Sequence, residues 1–319
     1  MLNFIKSNSP IYFIVISWSS LIVAIVSHYI NDNHQDFVWP LLSYFMLHKY
    51  FLYCIYALVV FFTAVKINFI INKSVFFKKT NYASGLIYTI TILLMCPIHL
   101  AILPTLANLF AVLAIENLMK IYRNKSCKIE VFNATCWLLL SGVAYSYNIF
   151  LIPMVWITLY FIRPFEWREY LMPVISFLFL ASYLITAGFI FEKLNFWVEN
   201  WWSIKDLYIN NSIKNWIYFL LVIVVGILLS FRVIYLTFIS SSNRYKKISW
   251  IFISFLLCCL GQFLLKYLYF GLSSPVLCVA AVPFSILISN TILNAKSNWL
   301  ANSYVTISII GYLIITYVI

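Results

Sequence analysis

Charge is what this sequence has least of. Asp, Glu, Lys and Arg together make up 9% of its 319 residues, while 64% are hydrophobic. Soluble domains carry roughly a quarter charged residues. A water-soluble fold of this length could not hide so much apolar surface. Glycine is scarce too, at seven residues, which limits close helix packing through glycine. There is no P-loop, G-x-G-x-x-G, H-E-x-x-H or G-x-S-x-G motif, so an ATP-driven or zinc-protease mechanism is not expected. There is no low-complexity segment and no internal repeat, which removes the usual signature of a duplicated transporter. The seven cysteines lack metal-knuckle spacing and fall mostly in apolar runs, where they read as small core residues. No cofactor is expected.

What is present is a series of long apolar runs. A membrane-spanning helix needs about 20 mostly apolar residues. Eleven segments follow: Ile11–Ile30, Phe51–Ile71, Tyr82–Cys96, Pro104–Ile121, Ala134–Tyr147, Phe150–Phe165, Leu171–Phe191, Trp216–Ser240, Trp250–Phe270, Pro275–Leu293 and Ser303–Ile319. The first is too long for a signal-peptide core and reads as a retained signal anchor. The expected fold is all-α: a polytopic transmembrane bundle forming one domain over residues 1–319. A Trp-rich stretch over 192–215, with Trp197, Trp201, Trp202 and Tyr208, is expected to lie along the outer surface as an amphipathic helix.

The basic residues set the orientation. With the N-terminus inside, 16 of the 21 Lys and Arg fall in inner connections and five fall outside, at Lys49, Lys193, Lys205, Lys214 and Lys266. That bias is the positive-inside pattern of a membrane protein with its C-terminus outside. It also explains the net charge of +12 without a nucleic-acid partner. The fifth and sixth segments are short and could join into one helix. Such a helix would be about 45 Å long and would invert every later connection. Charge therefore predicts a hairpin, broken near Tyr147–Asn148 and before Pro153.

The rare polar residues suggest chemistry at the outer face. His28, Asp32 and Asp36 are spaced i, i+4, i+8, and His34 lies among them. They share one face if the helix continues, or form a loop cluster if it turns. Either arrangement can supply a general base with supporting imidazoles. It is equally what a polar outer loop looks like. The four histidines are too scattered to define a metal site. Gln262 and Lys266, at i and i+4 near the outer end of the ninth segment, can hold a lipid-linked phosphate together with Lys49; a snorkelling lysine is the plainer reading. Glu116 sits one turn from Lys120, as a helical ion pair or as a buried proton-coupling group. The densest motif is Arg163-Pro164-Phe165-Glu166-Trp167-Arg168-Glu169-Tyr170. It reads as a structural clasp between two segments, or as a docking turn for a partner.

The Ser9-Pro10 lead, residues 108–122 and 132–137, and above all Arg163–Tyr170 followed by Pro173 resemble an inner-membrane family of Bacteroidota defined as a domain of unknown function. A looser similarity of layout is to the GT-C glycosyltransferases and polysaccharide polymerases that use polyprenyl-phosphate sugars. That similarity implies a catalytic acid in the first outer loop, matched here by Asp32 or Asp36, and a basic phosphate holder at the outer face, matched by Lys266. The sequence lacks the paired acidic motif and the soluble outer domain of that superfamily. Three functions stay open: an envelope glycosyltransferase or polymerase, a non-catalytic scaffold of an envelope or secretion complex, and a lipid flippase or carrier. Membrane lipids are partners in all three.

Overall fold

In the computed structural model, the described residues are 18, 49–74, 76–77, 81–95, 102–122, 126–190, 235, 237–239, 241–270 and 275–294. The expected first, eighth and eleventh segments and the 192–215 stretch lie outside them, apart from isolated positions. Among the described residues the structure is helical throughout, with no strand. The elements are α1 (Lys49–Ser74), α2 (Ala83–Met95), α3 (Ile102–Lys120), α4 (Lys128–Ala144), a 3₁₀ turn (Ser146–Leu151), α5 (Pro153–Ile162), α6 (Trp167–Tyr170), α7 (Met172–Ile190), α8 (Asn243–Phe270) and α9 (Pro275–Asn294). Four stretches are long and apolar enough to cross a membrane: Cys54–Ser74, Ile102–Lys120, Trp167–Ile190 and Asn243–Leu265. On that ground the chain is read as a membrane protein.

The sequence-based ends are wrong where helices begin or end in polar residues. α4 starts at Lys128, six residues before the expected Ala134, and α8 starts at Asn243 rather than Trp250. Hydropathy marks only the apolar stretch, but hydrogen bonding carries a helix on into the charged boundary layer. Conversely, α5 ends at Ile162. Arg163 is extended, with φ −133° and ψ 155°, as a residue before proline prefers.

The predicted hairpin is present. Tyr145 is extended (φ −141°, ψ 105°), which stops α4. The 3₁₀ turn reverses the chain, and Pro153 opens α5 at a position where its missing N–H costs nothing. The two ends of the hairpin meet: Cys127 N–H donates to Glu169 Oε1 at 3.1 Å, and Arg163 Nη1 lies 2.9 Å from the same oxygen. A single straight helix could not place residues 127 and 163 together.

The core is a bundle in which α3 packs on α4 and α1, α9 on α2 and α8, and α5 on α8. Its largest fully buried side chains include Tyr56, Tyr88, Phe252 and Phe255. α7 leans on α4 through Phe132 and Phe179 but otherwise exposes an apolar surface, including Leu178, Tyr183 and Phe189.

Candidate functional site

The ends of four helix connections gather on one face of the bundle. The Arg244 guanidinium donates to the Ser74 carbonyl. Lys247 Nζ donates to the Ile162 carbonyl at 2.8 Å and sits 5.4 Å from the Tyr122 ring. Phe76 stacks on Tyr245 at 4.7 Å, and Phe161 stacks on Trp250 at 3.9 Å. The ends of α1, α3, α5 and α8 therefore share one basic layer.

Within that layer lies a cleft of about 50 Å³ between α1, α3 and α8. Its apolar lining is Ile70, Met119 and Ile248, and its polar lining is Lys73, Ser74, Glu116, Lys120, Tyr122 and Arg244. Glu116 is the only carboxylate in that lining. It pairs with Lys66 at 2.9 Å, across from α1, and with Lys120 at 3.8 Å on its own helix. The i, i+4 pair was legible in the sequence, but the shorter cross-helix pair was not. The available signal was Lys66 itself, a lysine inside an apolar run, which demands a partner. Its seven-residue spacing from Lys73 places both on one face of α1.

The Arg163–Tyr170 turn closes on one buried carboxylate. Glu169 is 1% exposed and receives both Arg163 and the Cys127 N–H. Trp156 Nε1 donates to the Tyr170 carbonyl at 3.1 Å. Glu166 takes no such place: Pro164, Glu166 and Arg168 are exposed, with Arg168 5.6 Å from the Trp167 ring. Beside this carboxylate the Cys127 thiol is pushed up to about 12, first by burial and then by its hydrogen bond to Glu169, so it stays a neutral thiol.

Of the residues expected at the outer face, His28, His34, Asp32 and Asp36 lie outside the described residues. Lys49 and Lys266 are placed only as backbone positions in α1 and α8. Gln262 is described, and it is 1% exposed. Its Nε2 donates to Asn148 Oδ1 at 3.0 Å, Asn148 Nδ2 to Ser141 Oγ at 2.7 Å, and Ser141 Oγ to the Ala107 carbonyl at 2.9 Å. This chain of bonds ties α8 to the hairpin tip and to α3. Gln262 Oε1 has no hydrogen-bond partner among the described residues. A second polar link joins Asn108 Nδ2 to the Cys278 carbonyl at 2.9 Å. Cys278 is disulfide-bonded, which departs from its reading as a plain core residue, whereas Cys54, Cys127, Cys136, Cys258 and Cys259 are free thiols.

Removing the Asn148 side chain orphans the buried Gln262 amide nitrogen, while the Ser141 hydroxyl keeps its bond to the Ala107 carbonyl. Asn148→Leu should cost about 1–2 kcal/mol, within the range of interhelical hydrogen bonds in membranes. In a double-mutant cycle with Gln262→Leu, denaturation should show a coupling of about 1 kcal/mol. Strict additivity would mean that the bond carries no net energy.

No family model, curated protein or solved structure matches the chain. Among the described residues, no group of three His, Cys, Asp or Glu could hold a metal ion.

Proposed function

We propose that the chain is a multi-pass protein of the bacterial inner membrane, with about eleven spans, the N-terminus inside and the C-terminus outside, and that it transfers sugar from a polyprenyl-phosphate donor at the outer face. One observation carries this reading: the ends of α1, α3, α5 and α8 meet in a single basic layer. Positive charge concentrates on the cytoplasmic side of such proteins. The opposite ends of α1 and α8, which hold Lys49 and Lys266, then face outward together. The disulfide at Cys278 supports the same orientation, because disulfides persist in oxidising compartments. Cys278 lies twelve residues, or about 18 Å of helix, from Asn290, which bonds Tyr245 near the basic layer.

In this reading Asp32 or Asp36 removes the proton of the acceptor hydroxyl, with His28 and His34 in support. The new C–O bond forms at the anomeric carbon as the bond to phosphate breaks. The polyprenyl phosphate leaves with the electron pair, held by Lys49 and Lys266. The test is sugar transfer in proteoliposomes by Asp32→Asn, Asp36→Asn and the double variant. Loss of a general base should lower turnover by about 10²-fold or more. Wild-type turnover in the double variant ends this reading. Reporter fusions at both termini test the orientation separately.

A second reading has its own observation. At the Arg163–Tyr170 turn, Phe165 is 73% exposed and Trp167 60% exposed, beside Arg168. Aromatic and arginine side chains so displayed suit a protein contact. A non-catalytic subunit of an envelope complex would lose a co-purifying partner on Phe165→Ala/Trp167→Ala, with its own fold intact.

A further inference from the structure

Cys278 is disulfide-bonded, and its partner follows from the other cysteines and from the register of two helices. Of the seven cysteines in the chain, Cys54, Cys127, Cys136, Cys258 and Cys259 are free thiols. The remaining one is Cys96, the residue after Met95, where α2 ends. Cys278 stands in the first turn of α9. α2 and α9 pack on each other. Near the start of α2 the Ser84 and Ser289 hydroxyls lie 2.9 Å apart. Further along α2, Asn108 Nδ2 bridges the Tyr88 hydroxyl, at 3.4 Å, to the Cys278 carbonyl, at 2.9 Å. Advancing along α2 therefore retreats along α9, so the two helices run antiparallel. Eleven residues separate Ser84 from Met95, and eleven separate Ser289 from Cys278. Each interval rises about 17 Å, which brings the end of α2 level with Cys278. Eleven residues are also close to three full turns, so Cys278 lies on the face of α9 that Ser289 turns toward α2. Helices packed about 8–10 Å apart bring facing Cα atoms into the range of about 4–7 Å that a disulfide spans.

We infer that Cys96 and Cys278 form one intrachain disulfide that staples the end of α2 to the start of α9. With Ser84 and Ser289 joined at the other end, the helix pair is fixed at both ends. The bond forms by exchange with the disulfide of a dithiol oxidase. One thiolate attacks that disulfide, and the second displaces the oxidase from the mixed disulfide; two electrons and two protons leave with the oxidase as its dithiol. Cys278 is fully buried, so exchange precedes the closing of α9 onto α2, and the finished bond is shielded from reductants. The pairing rests on helix register, not on the proposed sugar transfer, and survives the loss of that reading.

The test maps the bond in the full purified chain. Thiols are blocked with light N-ethylmaleimide in denaturant without reductant, and then, after reduction, with the heavy form. Heavy label should fall on the peptides that hold Cys96 and Cys278 and on no other cysteine. Light label on Cys278, heavy label shared between Cys278 and any other cysteine, or a non-reducing dimer that Cys278→Ala abolishes overturns the inference. Thermal unfolding gives a second readout. Cys96→Ala, Cys278→Ala and the double variant should each lower the midpoint by about 5 °C or more, and by the same amount, because each removes the same bond. Losses that add in the double variant overturn it as well. Should the variants fail to fold, the map of the unaltered chain decides.

Discussion

Replacing Glu169 with Ala lowers the stability of the bundle by about 3 kcal/mol, the lower end of the range for removing one partner of a buried ion pair. Two losses combine. Arg163, whose side chain is 14% exposed, loses its counter-ion at 2.9 Å. The Cys127 N–H, at the start of α4, loses its acceptor. Cys127 makes no side-chain cap for α4, so Glu169, 42 residues away in sequence, serves as a tertiary cap and places negative charge at the positive end of that helix. The lower end of the range applies because Arg163 sits at the boundary layer and can extend toward head groups. Glu166→Ala is the control. Glu166 is exposed and should change stability by no more than about 0.5 kcal/mol. Equilibrium denaturation in mixed micelles compares the two. Equal effects would show that the turn is held by its backbone alone.

Gly85→Ala has the opposite sign from the usual effect of such a change. In an exposed helix, alanine in place of glycine gains about 0.5–1 kcal/mol. At Gly85 an added Cβ would strike Asn68 Nδ2 and lie 2.7 Å from the Ala64 carbonyl oxygen. The Ala64 oxygen belongs to the backbone of α1, so α1 and α2 would have to separate. The Gly85 N–H donates to Asn68 Oδ1 at 2.8 Å, and that bond would open as well. Overpacking costs about 1–3 kcal/mol, and with the lost bond the total approaches 3 kcal/mol. Gly261→Ala meets nothing within 4 Å and should gain the ordinary increment. Gly142 is intermediate: its nearest obstacle is Ile149 Cγ1, at 2.7 Å, on a β-branched side chain that is stiff at χ1, but the nearest backbone atom, Ile149 N, is 3.4 Å away. The same denaturation series ranks the three. A stabilising Gly85→Ala would mean that α1 and α2 do not approach closely at this point.

Gly85 also shows where sequence reading stops. Seven glycines in 319 residues argue against glycine-based packing as a general device, and nothing local marks this one as a contact point. Only the crossing of α1 and α2 makes its missing Cβ matter. Lys66 and Glu116 lie fifty residues apart, and no periodicity connects them; they meet because α1 packs on α3. Gln262 has the helical spacing to Lys266 that suggested a phosphate holder, but its direction depends on which neighbour fills the adjacent space. That neighbour is the hairpin tip carrying Asn148.

Apolar run length and the partition of Lys and Arg were enough, by themselves, to determine a helical membrane protein and the turn between α4 and α5. Both rest on one-dimensional physics: the hydrocarbon thickness sets the length of a span, and the cost of misplacing charge sets the parity of the connections. Tertiary structure alone decided which polar groups meet: Glu169 with Arg163 and Cys127, Lys66 with Glu116, and the cations around the cleft. Inside a bundle a buried polar group is costly without a partner, and that partner is chosen by helix packing in three dimensions rather than by neighbourhood in the chain.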